Sequence, residues 1–191
     1  MVVEILVICL IAKAKRFRLS YLWRTWTFYP ILLAQIALVA VQATVFVRDF
    51  RLVPYGSYVE IGVILSFLFA LLAFGLYKPA LLGSLSIAAG TVLNRFAIAQ
   101  NGGHMPVFPT LSYLTGYIDP AMFGTADQLH TLGNAATRVW FLTDYIDYGY
   151  SVLSPGDLLI HLYACLMFYA LIRAVNLRYA PRQGLQTKGE S

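Results

Sequence analysis

The chain has 191 residues, of which 59% are hydrophobic and 12% are charged, and its net charge is +5. Its mean hydropathy is +0.68, and the charged fraction is about half that of a typical soluble domain, which excludes a water-soluble globular fold. The basic residues flank apolar runs and form no continuous basic face, so we expect a membrane protein and no nucleic-acid partner.

The first apolar stretch, residues 1–14, is shorter than the roughly 20 residues that a spanning helix needs. Lys13 and Lys15 can extend it by reaching toward the headgroups, which predicts a short first span, with an interfacial segment as the alternative. A cleaved signal peptide is disfavoured because the positive charge follows the apolar run and does not precede it.

Four further apolar segments are long enough to cross a bilayer. They cover residues 29–47, 58–77, 80–100 and 158–175. The second and third are separated by so short a turn that they must form an antiparallel hairpin. Small residues between Gly83 and Gly90 predict that the 80–100 helix packs tightly at the centre of the bundle, with a dimer face as the alternative.

These segments predict an all-α, polytopic transmembrane helix bundle of about five spans, forming a single domain over residues 1–180. The basic residues at 13–24, 78 and 178–188 place the C-terminus in the cytoplasm and residues 101–157 outside. Residues 181–191 are predicted to be a disordered cytoplasmic tail. The expected partners are the lipid bilayer and other membrane subunits.

The outer segment, residues 101–157, is too long for a simple loop, so it should carry structure or function of its own. Thr125 and Gln128 have the spacing of a capping box, and apolar residues then recur at helical intervals. This pattern predicts an amphipathic helix from Ala126 to Leu142 on the membrane surface.

A polar turn opens the outer segment. In Asn101-Gly102-Gly103-His104 the glycines favour a turn, and their amides could bind an anion or a carbonyl oxygen; a plain helix stop is the alternative. Arg95, shortly before this turn, could be a counter-ion to a bound carboxylate or could reach to the outer headgroups.

Three aspartates follow in the outer segment. Asp144 and Asp147 would share one face if the chain were helical there, and paired carboxylates can provide an acid and a base. Asp157, in Ser154-Pro155-Gly156-Asp157, fits a helix cap. Alternatively, Asp157 orients His161, which lies four residues later on the same face.

No cofactor or metal is expected. The free thiols Cys9 and Cys165 lie in apolar segments, and the histidines His104, His130 and His161 share no ligand spacing on one helix. Glu4 and Glu60 lie near the outer ends of their helices and not midway across, which disfavours an ion carrier.

The strings Asn101-Gly102-Gly103-His104-Met105-Pro106-Val107, Leu142-Thr143-Asp144 and Leu153-Ser154-Pro155-Gly156-Asp157 carry a resemblance. The chain resembles an uncharacterised bacterial family of multi-pass membrane proteins, which implies a bacterial plasma membrane and supplies no activity.

The order of Asp144 and Asp157 is also similar to that of the aspartate dyad in lipoprotein signal peptidases, and Asn101-Gly102-Gly103 resembles their Asn-x-Gly element. The chain departs from those enzymes in lacking Asn-x-x-Asp-Arg and in having Ser-Pro-Gly-Asp for Asn-x-Ala-Asp. We therefore expect a non-enzymatic accessory subunit or binding module that uses its outer segment, with an aspartyl peptidase as the alternative.

Overall fold

The computed structural model describes residues 1–120, 123 and 129–180. In this part of the chain the α-helices are α1 (Val2–Ala14), α2 (Phe28–Phe46), α3 (Gly56–Phe74), α4 (Tyr77–Gln100), α5 (Leu111–Thr115) and α6 (Pro155–Tyr179). The short strands are β1 (Met105–Val107), β2 (His130–Leu132), β3 (Ile146–Asp147) and β4 (Val152–Leu153). Short 3-10 turns cover Leu19–Arg24, Phe50–Tyr55 and Trp140–Leu142.

Within these residues, four helical stretches are long and apolar enough to cross a membrane: Phe28–Phe46, Phe50–Phe74, Tyr77–Gln100 and Pro155–Tyr179. The predicted all-α transmembrane bundle is therefore confirmed. The 13 residues of α1 reach only about 20 Å, so a fifth span at residues 1–14 stays a prediction. The predicted tail, residues 181–191, lies outside the described residues.

The turn between the second and third long spans differs from its predicted position. Gly75 has a φ of +61°, a left-handed conformation that suits glycine and ends α3. Helix α4 then begins at Tyr77, so Lys78 and Pro79 lie in its first turn. Proline is tolerated there because amides of the first turn have no partner within the helix.

Helix α6 is the centre of the bundle. Its buried face runs from His161 to Asn176, and it packs against α1, α3, α4 and the 19–24 turn. Helix α4 packs against α6 on one side and exposes Leu81, Leu85 and Val92 on others. The predicted central place of α4 is therefore wrong, because Gly83 and Gly90 are buried but the small residues Ser84, Ala88 and Ala89 between them are exposed.

Tight packing of α4 is confirmed. A Cβ atom added to Gly90 would lie 2.3 Å from the carbonyl oxygen of Gly156, and one added to Gly83 would lie 2.7 Å from the ring of Tyr163. Helix α3 packs chiefly against α2 and α6. The hairpin of α3 and α4 is thus held together through α6, which leaves space between the outer ends of α3 and α4.

The outer segment forms a small cap over these helix ends. Strands β1 and β2 are parallel, with Met105 opposite His130 and Val107 opposite Leu132. Val107 also bridges to Asp144 on its other side, and β3 pairs antiparallel with β4.

The predicted amphipathic helix is wrong over residues 129–142, where the chain forms β2, a loop and a 3-10 turn. The capping-box residues Thr125 and Gln128 and the predicted helix start at Ala126 lie outside the described residues. Leu129 accepts a hydrogen bond from the Met105 amide, and the Gly133 amide donates to Val107, both at 2.9 Å. Pairing with β1 thus supplies the backbone partners that a helix would have provided, and glycine at 133 weakens the helical alternative.

The close contact between α4 and α6 predicts that the stability of the protein depends on glycine at position 90. Gly90→Ala should destabilise the protein by about 1–3 kcal/mol, because the new methyl group would meet backbone atoms of α6. Gly62→Ala is the matched control, since a Cβ at this α3 position meets nothing within 4 Å. Thermal unfolding of the detergent-purified variants measures the difference, and equal melting temperatures would contradict the described packing.

Candidate functional site

A cavity of about 360 Å³ lies between the outer ends of α3, α4 and α6 and the cap. This volume is at the lower end of the range for small-molecule sites. Most of its wall is apolar, and apart from the phenol of Tyr117 its five ionisable lining residues in the described chain are Glu60, His130, Asp144, Asp157 and His161. These come from α3, α6 and two parts of the outer segment, so only the folded chain brings them together.

The predicted N-terminal capping of helix α6 by Ser154 and Asp157 is confirmed, and Asp157 is part of the cavity wall. The Ser154 amide donates to Asp157 Oδ2 and the Asp157 amide donates to Ser154 Oγ, both at 2.9 Å, which forms a capping box. Asn94 of α4 joins it: its Nδ2 donates to Asp157 Oδ1 at 2.7 Å, and its Oδ1 accepts from Ser154 Oγ at 2.8 Å.

The sequence analysis missed Asn94. Its signal was an amide side chain within an apolar helix, where polar groups seek a partner on a neighbouring helix. The partner could not be identified from the sequence, because Asn94 and Ser154 are separated by 60 residues.

His161 is paired with Glu4 and not with Asp157. Its Nδ1 lies 2.7 Å from Glu4 Oε1, and the imidazole is almost fully buried. The prediction that Asp157 orients His161 is therefore wrong, because Asp157 turns back to the amide of its own cap residue. Since Nδ1 is engaged, Nε2 is the ring nitrogen left for anything that enters the cavity.

Asp144 and Asp147 do not share a face. Residues 146–147 are extended, and side chains three apart in an extended chain point to opposite sides. Asp144 is 3% exposed, lines the cavity and lies with Oδ2 3.4 Å from His130 Nε2. Asp147 points away from it, toward the start of α5.

Asp147 stabilises the cap. Its carboxylate accepts from the amides of Thr110, Ser112 and Gly149 at 2.6, 2.9 and 2.7 Å, and from the Ser112 hydroxyl at 2.6 Å. Burial by itself raises the pKa of Asp147, but the hydrogen bonds from Ser112, Thr110 and Gly149 outweigh burial and leave this pKa below its usual value.

The polar turn after α4 is a helix stop. Gly102 and Gly103 have φ values of +68° and +90°, and the Gly103 amide donates to Ile98. The Asn101 side chain exchanges hydrogen bonds with the backbone of Arg138, which fastens the cap to α4. His104 and Arg95 are exposed, and in the described part of the chain none of the candidates from Asn101 to His104, nor Arg95, lines the cavity.

Among the three described carboxylates of the cavity wall, Glu60 differs in having no hydrogen-bond or ion-pair partner. Asp157 accepts from Asn94 and Ser154, and Asp144 lies beside His130. Within residues 1–120, 123 and 129–180, by contrast, the Glu60 side chain makes no hydrogen bond or ion pair. The same residues contain no cluster of three or more His, Cys, Asp or Glu side chains that could hold a metal ion.

Comparison with known proteins places the chain in a family. The model of a family of unknown function, DUF5317, matches residues 20–169. The chain belongs to DUF5317. No curated protein and no solved structure matches it. The expected resemblance to an uncharacterised family is confirmed, and the apolar helices identify this DUF5317 chain as a multi-pass membrane protein.

The family match includes all five ionisable residues of the cavity wall and Asn94. Glu4, the partner of His161, lies outside the matched residues. The cavity wall of this DUF5317 chain is thus built by the matched part, and Glu4 of α1 contacts it only through His161.

The hydrogen bonds of Asp147 predict a pH-dependent stability. With its pKa lowered in the folded state, Asp147 stabilises the fold fully above its unfolded pKa of about 4, and this contribution is lost as pH falls through the folded pKa. At pH 7, Asp147→Asn should lower the free energy of unfolding by about 1–2 kcal/mol. The free energy of unfolding of both proteins should be measured from pH 7 to pH 3, and the difference between them should shrink as the pH falls. A difference that does not depend on pH would contradict the assignment.

Proposed function

We propose that this protein is a non-enzymatic membrane binding module that holds a small, positively charged ligand in the cavity beneath its outer segment. The observation that carries the proposal is the Glu60 carboxylate, which lines the cavity, is accessible, and has no hydrogen-bonding partner among the described residues. A carboxylate beside an apolar wall is strongly stabilised by a cation or a charged hydrogen-bond donor.

The rest of the wall supports a cationic ligand. Three carboxylates and two imidazoles line the cavity, so the site is negative whenever the histidines are neutral. Asp157 and Asp144 already have hydrogen-bond donors or a histidine beside them. They add negative charge around the ligand, while Glu60 offers it a direct contact. An alkylammonium group with a short apolar body matches both the charge and the apolar wall.

The proposal predicts selective binding of amines. Benzylamine and hexylamine should raise the melting temperature of the purified protein in detergent, whereas benzyl alcohol and hexanol, of similar shape, should raise it little. Glu60→Gln should weaken amine binding by about tenfold or more, because a charge-assisted hydrogen bond is lost.

Asp49→Asn is the matched control for Glu60→Gln, because Asp49 is a carboxylate at the same end of the bundle that pairs with Arg51 and does not line the cavity. Equal stabilisation by amines and alcohols, or equal loss in both variants, would contradict the proposal.

A membrane aspartyl peptidase is the second candidate, because Asp144 and Asp157 line the same cavity. An aspartyl dyad needs two carboxylates that share one proton and act on one water. Here both oxygens of Asp157 accept hydrogen bonds from the protein and Asp144 lies beside His130, so we rank binding above catalysis. Cleavage of a membrane-spanning peptide by the purified protein, lost in both Asp144→Asn and Asp157→Asn, would reverse this order.

We also propose that the protein lies in a bacterial plasma membrane with its C-terminus in the cytoplasm, where it could serve other membrane subunits. The excess of basic residues at the end of the bundle opposite the cap supports this orientation. In a Cys9→Ser and Cys165→Ser background, a membrane-impermeant maleimide applied to intact cells should label Ala135→Cys in the cap and not Ser20→Cys. The reverse pattern would contradict the orientation.

A further inference from the structure

The described acids share the cap end of the bundle with Arg48, Arg51, Arg95 and Arg138, whereas the described charged residues of the opposite end are all cations. The acidic residues within the described part of the chain lie at the cap end: Glu4, Asp49, Glu60, Asp119, Asp144, Asp147 and Asp157. The opposite end, which we call the basic end, carries Lys13, Lys15, Arg16, Arg18, Arg24, Lys78, Arg173 and Arg178. None of these cations forms an ion pair with an acid among the described residues.

Aromatic rings hold several of these cations in place. The guanidinium carbons of Arg18 and Arg24 lie 6.0 and 5.2 Å from the centre of the Tyr21 ring. Arg178 lies 5.8 Å from the Tyr179 ring, and the two tyrosine rings are 6.3 Å apart. Arg18 Nη1 also donates to the Tyr21 hydroxyl at 3.4 Å, and the other N–H groups of the guanidiniums are left for another partner. We call these five residues the arginine–tyrosine cluster.

The backbone beneath this cluster is fixed. Asn176, buried on α6, accepts from the Arg18 amide at 2.8 Å and donates to the Arg18 carbonyl at 3.2 Å. The Tyr179 hydroxyl donates to the Arg24 carbonyl at 3.3 Å. These bonds attach both ends of the 19–24 turn to α6, so Arg18 and Arg24 are presented from a rigid frame while their side chains are exposed.

Two exposed tryptophans lie within or just after the 19–24 turn that carries the cluster. Trp23 and Trp26 are 57% and 61% exposed, although each packs one edge against Phe28 or Phe69. Tryptophan in this setting is typical of the headgroup level of a bilayer. The arginine N–H groups therefore lie at the depth where lipid phosphates lie.

We propose that the arginine–tyrosine cluster binds the phosphate of an anionic membrane lipid. A guanidinium donates two parallel hydrogen bonds to a phosphate, and Arg18 and Arg24 both lie against the Tyr21 ring, where one headgroup can engage them together. The adjacent exposed indoles contact acyl chains, which favours a lipid over a soluble phosphate compound. This inference does not depend on the proposed function of the cavity, since the two sites lie at opposite ends of the bundle.

Native mass spectrometry of the detergent-purified protein tests the proposal with phosphatidylglycerol and phosphatidylcholine of the same acyl chains. The wild type should bind the anionic lipid preferentially, and the preference should fall as salt is raised. Arg18→Gln with Arg24→Gln should weaken phosphatidylglycerol binding by about 25-fold, from about fivefold per arginine near an anionic surface.

Arg95→Gln with Arg138→Gln is the matched control, because it removes the same charge from exposed arginines at the cap end. It should leave phosphatidylglycerol binding within about twofold of the wild type. Equal loss in the two double variants, or equal binding of both lipids by the wild type, would overturn the proposal. Competition by glycerol phosphate as strong as that by the intact lipid would overturn the assignment to a lipid.

If the Arg18 and Arg24 variant does not fold, the salt series on the wild type still decides the question. Phosphatidylglycerol binding that does not weaken with salt would mean that the contact is apolar, and the arginines would then have no role in it.

Discussion

The close approach of α4 to α6 at Gly90 and Gly156 is the constraint on which the rest of the structure depends. Two backbones meet there with no room for a side chain on either helix, and Asn94, one turn further along α4, reaches the first turn of α6. In a membrane, where few other partners exist, an amide that satisfies both members of a capping box fixes the register of the two helices.

That register decides where the polar groups of the outer half of the bundle lie. With α6 at the centre and α3 and α4 on different sides of it, the outer ends of α3 and α4 do not close on each other, and the cap covers the space between them. The cavity is a consequence of this arrangement. Its wall contains carboxylates that already have partners, at Asp157 and Asp144, together with the one at Glu60 that has none in the described part of the chain.

The two ends of the protein have opposite electrostatic character. At the cap end, acids are combined with histidines and amides in a partly enclosed space, where low dielectric strengthens each contact. At the basic end, several exposed cations lie on aromatic rings and have no described acid to neutralise them. This difference is the basis of the two proposals, a small cation at the first end and an anionic lipid at the second.

Local patterns in the sequence were sufficient to predict part of this structure. Apolar length determined the long spans, Ser154-Pro155-Gly156-Asp157 determined the start and cap of α6, and Gly102 and Gly103 determined the stop after α4. Each of these depends on residues that are near one another in the chain. The helix predicted over 126–142 was wrong in its described part because β1, more than twenty residues earlier, supplies backbone partners that periodicity does not reveal.

The pairing of residues in the candidate site could be seen only in the tertiary structure, for the same reason. Asp144 and Asp157 could be named from the sequence as outer carboxylates, but their partners His130 and Asn94 come from other elements, and His161 pairs with Glu4 at the far end of the chain. The sequence by itself determined that the protein crosses a membrane and where its charges lie along the chain. Tertiary contacts decided which of those groups meet: α4 on α6 pairs Asn94 with Asp157, and α1 on α6 pairs Glu4 with His161. The folding of the outer segment pairs His130 with Asp144, because groups far apart in the sequence are brought together by packing and not by sequence spacing.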